Sequence, residues 1–426
     1  MNKPDPRTAA FELLLAILDD KRPLDDALAT QPGLKGMTPR DRALARLLTA
    51  TVLRRMPELD AMIAPLLNRP LRGQARKVQN LLRLGAAQFI FLDTPAHAVV
   101  ATTVAAAQSS GQRAYKGLIN AVLRRLTREG AVRADNPAQR NTPEWLWENW
   151  LAAYGAETAT AIAEAHLGEA SLDITVKSDP ALWAERLEAE LLPTGSLRRA
   201  AGGDIRELPG FKDGAWWVQD AAAALPATLL RPAPGQAIVD LCAAPGGKTA
   251  QLAAAGADVL AVDISEKRMK QVAENLQRLQ LNARLTVADA AEWEPPSPVD
   301  AVLLDAPCSG TGTIRRHPDI ARLKQPGDID RMSAIQDRLL ARGADMLRPG
   351  GVLVYATCSL QPEEGPLRIE KLLAGGAPLE RNPVTESEIP SLESAITAAG
   401  EVRTLPSHWA ARGGIDGFFI ARLRRI

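Results

Sequence analysis

Apolar side chains recur at helical spacing through residues 7–130. Phe11, Leu14, Leu15 and Leu18 form one such stripe, and Leu44, Leu47, Leu48 and Val52 another. Pro23, Pro39, Pro57 and Pro95 fall between these runs and read as their punctuation. The stretch from Tyr115 to Leu126 has one apolar face and a basic end. Strand-like alternation is nearly absent, so residues 1–130 are predicted to form an all-α bundle. Residues 131–142 are polar and weakly patterned, which predicts a linker. Beyond Pro143 the texture is mixed. Trp145, Trp147 and Trp150 lie on a short helical run and read as packing residues. Leu172 to Val176 reads as a strand and Ala181 to Leu191 as a helix, giving a small α+β subdomain over 143–212. Over 213–426 short apolar strands alternate with helices. The strands are expected at 238–241, 259–262, 285–287, 301–304, 351–355 and 417–422. Ser265 is placed to cap a helix of which Met269, Val272, Ala273, Leu276 and Leu279 line one face. Asp328 is placed to cap another, running to Arg348. Alternation of this kind predicts a parallel doubly wound sheet, an α/β Rossmann-like domain.

Composition narrows the class. Hydrophobic residues are 46% and charged residues 24%, which excludes a chain disordered throughout. No apolar run reaches the ~18 residues of a membrane span, and the short N-terminal one is flanked by acids, unlike a secretory signal. Three cysteines exclude a disulfide scaffold and fit a reducing cytoplasm. The net charge of +1 conceals an asymmetry. Residues 1–130 hold 20 Lys and Arg against 11 Asp and Glu, and the remainder 31 against 39. A basic module joined to an acidic one suggests that one end meets a polyanion. An Arg-rich helical surface with no partner fits the same count equally well.

The candidate chemistry sits in the last region. Asp240-Leu241-Cys242-Ala243-Ala244-Pro245-Gly246-Gly247-Lys248-Thr249 follows a strand and opens a helix, where a ligand approaches backbone closely. The first glycine of a P-loop is missing, and so is the GxGxxG pattern. A nucleoside ligand without a phosphate chain fits better. Asp263, Asp289 and Asp305 end the next strands, the edge at which such folds bind ligands. Asp263 stands 23 residues after Asp240, near the ~20-residue offset of a ribose-binding acid. All three cysteines follow strands. No CxxC pair exists, so zinc is disfavoured and no metal is expected. Cys242 reads as a small filler. The loops of Cys308 and Cys358 read as accessible, so either thiolate could act as nucleophile. A thiolate beside a nucleoside cofactor suits methylation of cytosine carbon 5. Addition at carbon 6 makes carbon 5 nucleophilic, and a second thiol can assist release.

VDLCAAPGGKT, LLDAPCSGTGTIRRHPDI and YATCSLQPEE resemble the motifs of S-adenosylmethionine-dependent RNA 5-methylcytosine methyltransferases, the NOL1/NOP2/Sun family. The resemblance runs from about Trp216 to the C-terminus and includes Val218-Gln219-Asp220 and Asp416-Gly417-Phe418-Phe419. Residues 1–130 resemble the antitermination factor NusB, through Leu82-Arg83-Leu84-Gly85 and Lys116-Gly117-Leu118-Ile119-Asn120. This pairing implies a bacterial 16S ribosomal RNA methyltransferase of class I fold, a cytoplasmic monomer needing no membrane or metal. Carried over residue by residue, the resemblance implies a cofactor loop of Cys242, Ala243, Ala244, Pro245, Gly246, Gly247 and Lys248. It implies Asp263 on the ribose, Asp289 near the adenine, and Asp305, with Lys248 beside it, between methyl donor and cytosine. Cys358 would be the nucleophile and Cys308 the release group. Where the family reads PEENE, this chain has Pro362-Glu363-Glu364-Gly365-Pro366. A transfer RNA methyltransferase would share these motifs. A noncatalytic RNA-binding or antitermination protein is the alternative outside the enzyme class, against which the retained cysteines and acids argue.

Overall fold

The computed structural model describes residues 5–131 and 135–426. It divides into two units. The first comprises Met1–Leu151, Ala159–Leu167 and Arg316–Lys324. The second comprises Ala152–Thr158, Gly168–Arg315 and Gln325–Ile426.

Helices Pro6–Leu18, Pro39–Ile63, Val78–Phe91, Ala96–Ser109 and Lys116–Glu129 build the first unit. Asp5 and Thr38 cap the first two by accepting the backbone N–H of Thr8 and Asp41. Phe11, Leu14, Leu48, Val52, Leu81, Leu84, Ile119 and Leu123 close the core. Pro23, Pro39 and Pro95 stand at helix starts, as their fixed φ allows. Pro57 does not end a run: the helix Pro39–Ile63 continues through it. Proline has no N–H, so the Leu53 carbonyl loses its helical donor. Arg322 Nε supplies one at 2.9 Å. The next amide, Glu58 N–H, donates to Asn141 Oδ1, and Arg322 Nη2 donates to the Asn141 carbonyl. The break is thus stitched by two segments remote in sequence. Of the polar stretch 131–142, residues 132–134 lie outside the described residues, and Pro137–Asn141 is a short helix. Trp150 is fully buried against His166.

In the second unit, β1 (Leu172–Val176), β2 (Glu190–Leu191), β3 (Leu197–Arg199) and β4 (Trp216–Val218) form an antiparallel sheet in the order β2-β3-β1-β4. The helix expected to reach Leu191 stops at Arg186. Glu188 adopts a left-handed backbone, which no helix continues through. Asp173 and Arg198 form a buried ion pair at 2.6 Å across β1 and β3.

The larger sheet contains β5 (Ala237–Leu241), β6 (Asp258–Asp263), β7 (Arg284–Val287), β8 (Val299–Asp305), β9 (Leu347–Thr357), β10 (Leu379–Arg381) and β12 (Phe418–Arg425) in the order β10-β12-β9-β8-β5-β6-β7. A short β11 (Val402–Thr404) pairs with β12. Strands β5 to β9 are parallel, as the alternation predicts. The sheet is nevertheless mixed, because β12 runs antiparallel to β9, β10 and β11. Ser265 caps Glu266–Leu279, and Asp328 reaches back to the Gln325 amide in a capping box opening Pro326–Asp345. The latter helix ends before Arg348, which lies in β9. Strand order reverses beside β5, so the loops after β5 and β8 flank the crevice where doubly wound sheets bind ligands. Among the described residues no helix is long and apolar enough to cross a membrane.

Candidate active site

The loop after β5 carries Cys242 to Lys248. Cys242 and Gly246 both have left-handed backbone. At Gly246 a Cβ would also meet Val272 Cγ1 at 3.1 Å, so this turn favours glycine. Asp263, at the end of β6, is buried and ties the loop down: its carboxylate accepts from Ala244 N–H at 3.1 Å and from Ser265 N–H at 2.9 Å. The Arg268 guanidinium donates to the Ala244 carbonyl. Asp289, after β7, is exposed and accepts from Ala291 N–H at 3.0 Å. Lys248 Nζ lies 2.6 Å from Asp305 Oδ2 and 5.4 Å from the Phe418 ring centroid. The ion pair spans the loops after β5 and β8, across the strand-order reversal.

Two features at this edge have no counterpart among the predicted site residues. Asp240 is wholly buried. Thr249 donates to one carboxylate oxygen at 2.6 Å, and the other has no hydrogen-bond partner among the described residues. Burial pushes its pKa up to about 7. Ile264, directly after Asp263, is 69% exposed although strongly apolar. An apolar side chain left in solvent beside Asp263 offers a surface for a planar ring. Its sequence signal was available: an isoleucine following the strand-end acid.

The cysteines diverge. Cys242 packs against the core around β8 and β9, and burial raises its thiol pKa, which suits a filler. Cys308 and Cys358 are half-buried rather than open, and their sulfurs stand 3.4 Å apart. The hydrogen bond to Cys358, then burial, hold the Cys308 thiol well above its ordinary range. Their loops are joined by backbone: Gly312 N–H donates to the Cys358 carbonyl at 2.9 Å, and Gly417 N–H to the Gly312 carbonyl at 2.8 Å. A Cβ on Gly312 would lie 2.0 Å from the Gly417 carbonyl oxygen, so no other residue fits. Tyr154 donates its hydroxyl to the Leu360 carbonyl. Among the described residues no group of three or more His, Cys, Asp or Glu is arranged to hold a metal ion.

Comparison with known proteins decides the family. The family model described as 16S rRNA methyltransferase RsmB/F matches residues 227–424, and the NusB family model matches 4–128. A ribosomal RNA small subunit methyltransferase B of Pseudomonas putida is 38% identical over 99% of this chain and 99% of its own. The chain belongs to the RsmB/F family of 16S rRNA methyltransferases. The Xylella fastidiosa relative of the same description is 39% identical over 98% of this chain and 97% of its own. A solved methyltransferase homologue from Pyrococcus horikoshii superposes with a TM-score of 0.55 at 28% identity, covering 66% of this chain and 94% of that one. RsmB/F methyltransferases take their methyl group from S-adenosylmethionine. The residues present fit that cofactor. The buried Asp240 oxygen left without a partner among the described residues is an acceptor suited to a cationic amino group, and each Asp263 oxygen accepts one amide N–H, which leaves a lone pair for a ribose hydroxyl.

Proposed function

We propose that this protein methylates carbon 5 of a cytosine in 16S ribosomal RNA, through a covalent adduct between Cys358 and cytosine carbon 6. The observation that carries the reading is the pair of sulfurs 3.4 Å apart in the loops after β8 and β9. The Cys358 thiolate adds to carbon 6, forming the S–C6 bond and shifting the C5–C6 π pair toward carbon 5. S-adenosylmethionine, when bound, supplies the electrophilic methyl group that carbon 5 takes. Water then takes the carbon 5 proton, and the C5–H electron pair becomes the C5–C6 double bond as the S–C6 bond breaks and its pair returns to Cys358. A thiol held protonated at Cys308 donates a hydrogen bond to the departing sulfur, which assists release. Asp305, fixed by Lys248, lies between methyl donor and cytosine and orients the ring. Asp289 lies near the adenine, with Ile264 against its face. The target base is extruded into this pocket, the middle antiparallel sheet helping to hold its strand, and the protein acts as a cytoplasmic monomer. Bisulfite mapping of ribosomal and transfer RNA from a deletion strain tests the substrate: one cytosine of 16S RNA loses its mark, and a lost transfer RNA mark instead would overturn this choice.

Asp263 contributes to cofactor affinity through ribose hydroxyls and through the loop it anchors. Asp263→Ala is expected to weaken S-adenosylmethionine binding by about 1.5–3 kcal/mol, roughly 10- to 150-fold. Titration calorimetry giving wild-type affinity would contradict the assignment.

The helical unit supplies RNA affinity. A groove of 770 Å³ in it is lined by Lys21, Arg69, Arg76, Lys77, Arg83 and Arg322 against only Asp19 and Asp60. Arg83 already pairs with Asp60. Arg69, Arg76 and Lys77 are exposed and suited to phosphates. Replacing these three by Ala in the full chain is expected to weaken RNA binding and to flatten the log K against log salt plot by about 2 for single-stranded contacts. An unchanged slope would remove the groove from RNA recognition.

A further inference from the structure

We infer that Glu364 is a positioning residue: it joins the Cys308 and Cys358 loops and fixes the sulfur–sulfur distance that adduct release requires. The inference rests on the cysteine reading above and extends it to a group outside the reacting atoms. Glu364 is wholly buried. One carboxylate oxygen accepts from Ser309 N–H at 2.8 Å and from Gln336 Nε2 at 3.2 Å. The other accepts from the hydroxyls of Ser309 and Ser359. Ser309 and Ser359 directly follow the two cysteines, so one carboxylate grips both loops immediately beyond the sulfurs. Gln336 also donates to the Pro307 carbonyl at 2.9 Å, on the other side of Cys308. The Glu364 carbonyl accepts the hydroxyls of Tyr355 and Thr357, at 2.8 and 3.0 Å, which ties the clamp to β9. Among the described residues the groups that donate to this carboxylate are neutral: the Ser309 amide, the Ser309 and Ser359 hydroxyls and the Gln336 amide group.

Two consequences follow. Displacing a reacting group by about 1 Å can cost about 10²-fold in rate, so a clamp on both loops has leverage on turnover. The carboxylate also acts through space on Cys308. The groups facing that thiol are Cys358, Glu364, the Tyr355 hydroxyl and the Gly310 amide, and the negative charge of Glu364 favours the protonated thiol. A protonated Cys308 is the donor that the departing Cys358 sulfur needs.

The test uses the full-length protein with a 16S RNA transcript and S-adenosylmethionine. Glu364→Gln keeps the shape but removes the charge, and Glu364→Ala removes the clamp. Turnover is expected to fall about 10-fold in the Gln variant and about 100-fold in the Ala variant, with KM for RNA unchanged and with a denaturant-resistant protein–RNA band accumulating. Two readouts need no RNA. In a Cys358→Ser background, the midpoint pH for iodoacetamide labelling of Cys308 is expected to move down with Glu364→Gln. In the otherwise unsubstituted protein, diamide is expected to link Cys308 to Cys358 more slowly once Glu364 is Ala. Wild-type turnover and labelling midpoint in the Gln variant would overturn the proposal even if the Ala variant does not fold. Failure of the unsubstituted protein to form any adduct would overturn the cysteine reading instead, and the proposal with it.

Discussion

Cys358→Ala yields no denaturant-resistant protein–RNA band and no methylated cytosine, whereas Cys308→Ala methylates once and then remains bound to its RNA. The asymmetry follows from the order of bond changes. Without the Cys358 sulfur no S–C6 bond forms, carbon 5 stays unreactive, and the rate falls on the order of 10⁴-fold or more. Without the Cys308 thiol the first two bond changes proceed, but the departing sulfur loses a donor now 3.4 Å away. The gel band therefore reports which step is lost, and mass spectrometry of the trapped RNA reports whether the methyl group has arrived. The reverse pattern, a band with Cys358→Ala and none with Cys308→Ala, would exchange the two roles. No band with either variant, from a wild-type protein that methylates no cytosine, would sink the thiolate mechanism.

Arg315→Leu is expected to destabilise the second unit by about 3–5 kcal/mol, a loss large against the usual stability of a domain. Arg315 lies within the Cys308 motif and is almost fully buried. One guanidinium nitrogen meets Asp220 Oδ2 at 2.9 Å and Asp416 Oδ1 at 3.5 Å, and another donates to the Gly413 carbonyl at 2.6 Å. Asp220 in turn accepts from the amides of Ala222 and Asp416. Removing the cation leaves two buried carboxylates close together without it. Urea unfolding measures the loss. Recovery of part of it when Asp220→Asn and Asp416→Asn are added would identify uncompensated charge as the cause. A loss below about 1 kcal/mol would mean that the carboxylates find compensation elsewhere.

What the chain discloses along its own length is local. Ile238 to Leu241 and Ala301 to Leu304 are apolar runs of strand length between loops, so the parallel strands could be read directly. The direction of β12 could not, because no feature of Phe418 to Arg425 distinguishes a strand running up the sheet from one running down. Cys308 and Cys358 stand out in sequence by their loops, but their 3.4 Å approach depends on pairing of β8 with β9 and on the Gly312 N–H that donates to the Cys358 carbonyl. Pro57 misleads for the same reason. A helix continues through proline when its stranded carbonyl finds a donor, and this donor is 269 residues away. Glu364 is equally opaque: its acceptor oxygens are filled from positions 5, 28 and 55 residues distant.

The stitch at Pro57 also orders events during synthesis. Leu53 emerges from the ribosome 269 residues before Arg322. At about 5–20 residues per second, the interval is roughly 13–54 s, whereas helices and loops form within microseconds. Every apolar residue of the bundle core from Ala9 to Leu126 is already outside by then. The nascent bundle therefore collapses with the Leu53 carbonyl still satisfied by water. The Glu58 amide gains Asn141 early, but the carbonyl waits until most of the second unit has been translated. The N-terminal unit is the first to gain a core, yet it cannot complete its hydrogen bonding until translation has passed residue 322.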